Sequence, residues 1–167
     1  MVEFRTVWVG LVGASLSVMV GCSAPLVQSS DAMPVMRQNL PIEAEAKMGG
    51  KTIQLEVART PQQQAIGLMN RKSLADDRGM IFLFNPPRVT QFWMKNTLIP
   101  LDMVFLRNGV VRAIAADVPP CKADPCPTYG SPTEIIDQVI ELRGGRAKEL
   151  NLKVGDRVPV NFLKPQA

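Results

Sequence analysis

Six side chains stand out as candidates for chemistry by their type and setting: Arg71, Trp93, Lys95, Asn96, Asp102 and Glu141. Four of them lie in Phe92-Trp93-Met94-Lys95-Asn96-Thr97 and Ile99-Pro100-Leu101-Asp102, where a cation, an amide, a hydroxyl and a carboxylate are hemmed in by apolar residues. A few polar groups on an apolar floor is the usual construction of a ligand pocket. A binding module would use the Trp93 ring for stacking, with Asn96 and Asp102 hydrogen-bonding a small polar or sugar-like ligand or a partner's peptide. An enzyme would instead use Asp102 as general base, Lys95 or Arg71 to stabilise charge, and Glu141 as a second carboxylate. Such work requires hydrogen-bond reach, which spacing along the chain does not reveal. A plainer alternative places Lys95 and Asn96 in a solvated turn and leaves Asp102 to hydrogen-bond a nearby loop. A third is a structural accessory of an envelope complex, marked by a large exposed apolar patch.

Composition narrows these choices. The chain has no histidine, which removes the commonest general base, the commonest zinc ligand and every Ser-His or Cys-His nucleophile pair. No metal site and no cofactor are expected. The net charge of +4 comes from 19 Lys and Arg scattered among 15 Asp and Glu, without the basic stripe that nucleic acid requires. With 167 residues, 46% of them hydrophobic, the chain is sized for one globular domain.

Three apolar runs position the polar set. Met80 to Phe84, Leu101 to Leu106 and Val110 to Ala115 are each of strand length, and Asn108-Gly109 supplies the two positive-φ residues of a tight hairpin. Asn85-Pro86-Pro87-Arg88 is expected to end the first run, since proline has no ladder donor. In the second run, Asp102 shares a face with Val104 and Leu106, while Leu101, Met103 and Phe105 share the other. Both faces are apolar, so Asp102 is expected to be buried and to recruit Lys95, Arg71 or the amides around Asn96. Upstream, two period-2 runs flank Gly49-Gly50 and predict another hairpin. Thr60, Pro61 and Gln63 form a capping box for a helix from about Pro61 to Asn70, whose Ala65, Ile66 and Met69 would cover the sheet. Gly67 within that helix hints at close backbone packing. Ile135 to Leu142 reads as a strand, Gly144 to Leu152 as a short helix, and Arg157 to Phe162 as an edge strand carrying Pro159. About seven strands, two short helices and mostly hairpin connections predict an α+β class: one β-rich domain whose antiparallel or mixed sheet curls toward a barrel.

Several ordered blocks bear a family resemblance. Gly67-Leu68-Met69 with Arg71, Gly79-Met80-Ile81-Phe82, Phe92 to Thr97, Pro100-Leu101-Asp102, Glu141-Leu142 with Gly145, and Gly155-Asp156 resemble the signature of domain of unknown function 192. The resemblance spans roughly residues 42 to 162. It implies a compact, β-rich single domain with short helices and no established activity.

The beginning of the chain carries targeting signals. Thr6 to Gly21 is an apolar run of signal-peptide length, and Met19-Val20-Gly21-Cys22 resembles a bacterial lipobox. Residues 1–21 are therefore expected to be a signal peptide. Cys22 would carry lipid, with simple secretion or an uncleaved anchor as alternatives. Residues 22–40, rich in Ser, Pro and Ala, are expected to form a tether, and 41–167 the domain. Such a protein would be exported and anchored to the membrane through its N-terminal lipid, facing the periplasm or the cell exterior. Its further partner would be a small ligand or an envelope protein. Cys121 and Cys126 lie in the proline-rich connection from Ala116 to Pro132. In an oxidising compartment they are expected to form a disulfide, because two Cys without His fall short of four zinc ligands.

Overall fold

The hairpins follow from their turns. Strands β1 (Ile42–Met48) and β2 (Lys51–Ala58) are joined by Gly49-Gly50, and β5 (Leu101–Arg107) and β6 (Val110–Val118) by Asn108-Gly109. All four turn residues have positive φ, between 51° and 74°, as a two-residue primed turn demands. The computed structural model of the protein describes residues 36–164. The expected signal peptide, Cys22 and most of the tether lie outside these residues. Residues 36–40, assigned to the tether from sequence, are hydrogen-bonded to the domain: Gln38 Nε2 donates to the Gln63 and Gly67 carbonyls, and the Leu40 amide donates to Glu56.

The described residues form one α+β, β-rich domain. Its main sheet has seven strands in the order β6-β5-β8-β3-β2-β1-β9, with β3 spanning Arg78–Val89, β8 Ile135–Arg143 and β9 Val160–Phe162. All neighbours are antiparallel except β2 and β3, whose crossover contains helix α1 (Pro61–Ile66). The sheet curls, and the stretch 155–160 bridges its two edges. Val111 N donates to the Asp156 carbonyl (2.9 Å) and Val158 N to the Gly109 carbonyl (2.8 Å), while Lys47 N of β1 donates to the Pro159 carbonyl (3.1 Å). Proline is tolerated there because its missing N–H faces no ladder.

Each face of the sheet carries its own apolar cluster. Ala46, Leu55, Val104, Leu106, Val111, Ile140 and Leu142 belong to one, and Met80, Phe82, Leu101, Met103, Phe105 and Val139 to the other. The alternation read from β5 is thereby borne out.

Five elements differ from expectation, the last strand among them, since β9 begins at Val160 and leaves Pro159 outside it. β3 does not end at Asn85: it continues through both prolines to Val89, because the β3–β8 register shifts between Leu83 and Arg88 and the prolines sit in that irregularity, where no ladder donor is needed. α1 stops at Ile66, with Gly67 as its C-cap rather than an interior residue. A Cβ at Gly67 would sit 3.2 Å from the Phe82 ring, so the close packing does hold. The second helix, α2, covers only Arg146–Glu149. Finally, Phe92–Trp93 (β4) and Thr128–Tyr129 (β7) pair as a second small sheet. Sequence reasoning missed it because two-residue strands carry no periodicity.

Candidate functional site

A cavity of about 280 Å³ opens between α1 and the sheet. The capping box at Thr60 and Gln63 fixes the start of α1 as expected. Yet α1 buries no residue, and Ala65 and Ile66 border the cavity instead of sealing the sheet. Phe82 and Phe84 of β3 and Phe92 of β4 form the aromatic wall. Phe92 meets Phe82 edge-on at 4.9 Å between ring centroids, and Phe84 at 6.3 Å. Gln64 is held by donating from Nε2 to the Leu83 carbonyl (2.7 Å).

Glu141 lines the depth of this cavity. It projects from β8 on the same face as its cross-strand neighbours Met80 and Met103, and only 5% of it is exposed. No hydrogen bond or ion pair reaches it among the described residues. Burial therefore pushes its carboxyl up from 4.5 to about 8, and the more distant positive charge of Arg71 pulls it only part of the way back. At neutral pH the group is mostly the protonated acid.

Cations occupy the rim. The Arg88 guanidinium, exposed, stacks 4.5 Å over Phe84 and reaches Gln64 Oε1 at 3.4 Å. Lys95 Nζ lies 5.6 Å from the Trp93 ring and 3.2 Å from both carboxylate oxygens of Asp124. Trp93 itself is 50% exposed.

The wall that carries Trp93 and Lys95 is held from behind. β7 pairs with β4, and Cys121 N donates to the Met94 carbonyl at 3.1 Å. Cys121 and Cys126 form the expected disulfide, which closes the loop bearing Asp124. A disulfide of this kind points to an oxidising, extracytoplasmic compartment.

Of the residues singled out from sequence, Trp93, Lys95 and Glu141 border the cavity, whereas Arg71, Asn96 and Asp102 do not. Arg71 makes a buried bidentate pair with Glu56, 2.6 Å at each oxygen, and also donates to the Gln38 carbonyl. Asn96 takes a left-handed conformation (φ 57°), and its carbonyl accepts from Asn70 N at 2.8 Å, so it shapes a turn.

Asp102 is fully buried, as predicted, but its partners are not the predicted ones. Oδ1 accepts from the amides of Asp117 (2.6 Å) and Gly145 (2.9 Å), and Oδ2 from Ala147 (2.5 Å). The reason is geometric. Asp102 pairs across to Leu142 while Met103 pairs to Glu141, so the sheet separates Asp102 from the cavity. Its carboxylate instead fastens the start of α2 and the end of β6. At the end of β8, Arg143 hydrogen-bonds Asp76 and Glu149 and holds both carboxyls below their ordinary range.

Phe82, Phe84, Gln64 and Arg88 were missed as site residues. The one available signal was Arg88 directly after two prolines in an otherwise apolar strand.

Residues 43–160 match the family domain of unknown function 192, described as "Uncharacterized ACR, COG1430". Among solved structures, a protein of unknown function from Novosphingobium aromaticivorans DSM 12444 is 38% identical with a TM-score of 0.61, covering 70% of this chain and 83% of its own. A protein from Sinorhizobium meliloti 1021 that carries a provisional transcription-regulator name is 32% identical with a TM-score of 0.62, covering 74% of this chain and 98% of its own. Comparison with curated proteins finds no match. With its matched blocks falling on the strands, turns and cavity described above, the chain belongs to the domain of unknown function 192 family.

Proposed function

We propose that the domain is an exported binding module, anchored to the membrane through lipid on Cys22, that holds a small polar ligand in the cavity above Glu141. One observation carries the ligand reading: an aromatic-walled cavity ends on a buried carboxyl that has no partner among the described residues. Such a group costs stability unless something satisfies it. The rival enzyme built on Asp102 with Lys95 or Arg71 draws no support from the geometry, since their partners are backbone amides, Asp124 and Glu56 respectively. The regulator name of the Sinorhizobium relative is not carried over. The 19 Lys and Arg of this chain are scattered among 15 Asp and Glu, without the basic stripe that nucleic acid requires.

A thermal-shift screen of polar metabolites tests the ligand reading. A ligand at a hundred times its Kd stabilises the native state by about 2.7 kcal/mol. The shift should disappear in Trp93→Ala and Glu141→Gln. Shifts that persist equally in both variants would refute the site. The anchor is tested separately: Cys22→Ser should release the protein from the membrane fraction, and unchanged fractionation would remove the anchor from the proposal.

A further inference from the structure

We infer that the group received at the bottom of the cavity is an ammonium, carried by a small zwitterion whose anionic end lies at the rim; this rests on the reading of the cavity as a ligand site. The charge layout carries the inference. Glu141, Arg88 and Lys95 are the ionisable residues bordering the cavity, and they are sorted by depth, with the acid buried and both cations toward solvent. An anion at the bottom would lie away from both rim cations, and it would be repelled wherever Glu141 is ionised. An apolar group would leave the carboxyl as unpartnered as before. An ammonium satisfies the carboxylate, and the cavity that would hold it is walled by Phe82 and Phe92. At the rim, Arg88 stacks on Phe84 without a carboxylate partner among the described residues, while Lys95 is shared with Asp124. Arg88 is thus the guanidinium available to a phosphate or carboxylate. The cavity's size suits a short aminoalkyl phosphate or amino acid.

The inference has a proton signature. The groups around Glu141 are Arg71 beyond α1, Glu56 of β2 held by Arg71, and the rim cations; its strand neighbours Met80 and Met103 are uncharged. The empty site holds the acid protonated up to about pH 8, so an arriving ammonium must expel that proton.

Calorimetric titration of the full-length protein with phosphoethanolamine, from pH 6 to 9, tests this. Affinity should strengthen about tenfold per pH unit up to about pH 8 and then level off, with close to one proton released per ligand at pH 6. Ethyl phosphate, which lacks the amine, should bind at least tenfold more weakly. Glu141→Gln should lose the pH slope and most of the affinity, whereas Arg88→Gln should weaken binding and keep the slope. Sedimentation with phosphatidylethanolamine vesicles, against phosphatidylglycerol vesicles and competed by the free compound, separates a lipid headgroup from a soluble source. Affinity that falls as pH rises, equal binding of ethyl phosphate, unchanged binding by Glu141→Gln, or no binding of phosphoethanolamine would each overturn the inference. A neutral ligand that still gives a Glu141-dependent thermal shift would overturn it while leaving the binding-module reading standing.

Discussion

Asp102 and Glu141 are both buried carboxyls on adjacent strands, one register step apart, and they live in opposite circumstances. Asp102 receives three backbone amides; Glu141 receives none from the described residues. The sheet between them divides the labour: one face uses a carboxylate to fasten chain segments, and the other leaves an acid facing open space. Burial alone therefore does not distinguish a structural charge from a functional one, whereas the inventory of hydrogen-bond partners does.

The largest way to break the comparison is to remove the satisfied carboxylate. Asp102→Ala would strand three amides, that of Ala147 buried and those of Asp117 and Gly145 partly so, and should cost roughly 3–5 kcal/mol in denaturant unfolding, with Asp102→Asn costing about 1–3 kcal/mol. Neither should change the pH slope of ligand binding. A loss below about 1 kcal/mol for the alanine variant would mean that water replaces the carboxylate and that the contrast with Glu141 is false.

Glu141→Gln should act in the opposite direction. The folded value near 8 lies above the ordinary 4.5, so between those limits the folded state keeps a proton that the unfolded state has released. Stability therefore falls as pH rises through that window. The glutamine variant, free of this fall, should match the parent near pH 4 and exceed it by a few kcal/mol at pH 8, measured by urea unfolding across pH. Parallel curves for the two proteins would place Glu141 in a better-solvated setting than its burial implies.

The smallest effect separates the two faces by redox state. Replacing Cys121 and Cys126 by Ser should cost about 2 kcal/mol or less, because the closed loop is short. In hydrogen exchange, amides from Phe92 to Thr97 should lose protection while those of Gly145 and Ala147 keep theirs. Equal loss on both sides would show that the disulfide supports the whole domain rather than the cavity wall.

The same contrast explains what could be read from the sequence. Local devices were legible: the Asn108-Gly109 and Gly49-Gly50 turns, the Thr60–Gln63 capping box, the disulfide, and the face of β5 on which Asp102 stands. Partners distant in the chain were not. Gly145 and Ala147 reach Asp102 across more than forty positions, separations of 43 and 45, and nothing near Asp102 announces them. The cavity escaped for the same reason, because it is assembled from α1, β3, β4 and β8. Even Pro86 and Pro87 misled, since the rule that proline ends a strand gives way where the partner strand makes no ladder bond.

The bridging stretch at residues 155–160 has a consequence for how the protein comes into being. It follows in sequence every strand that it joins, so a ribosome must deliver β1 through β8 before the seam between β6 and β1 can be stitched. Until then both margins of the sheet expose unpaired backbone groups, the template on which strands from other chains add. Completion of this domain is an event of whole-chain synthesis, and the nascent protein needs shielding for as long as its last strand is missing.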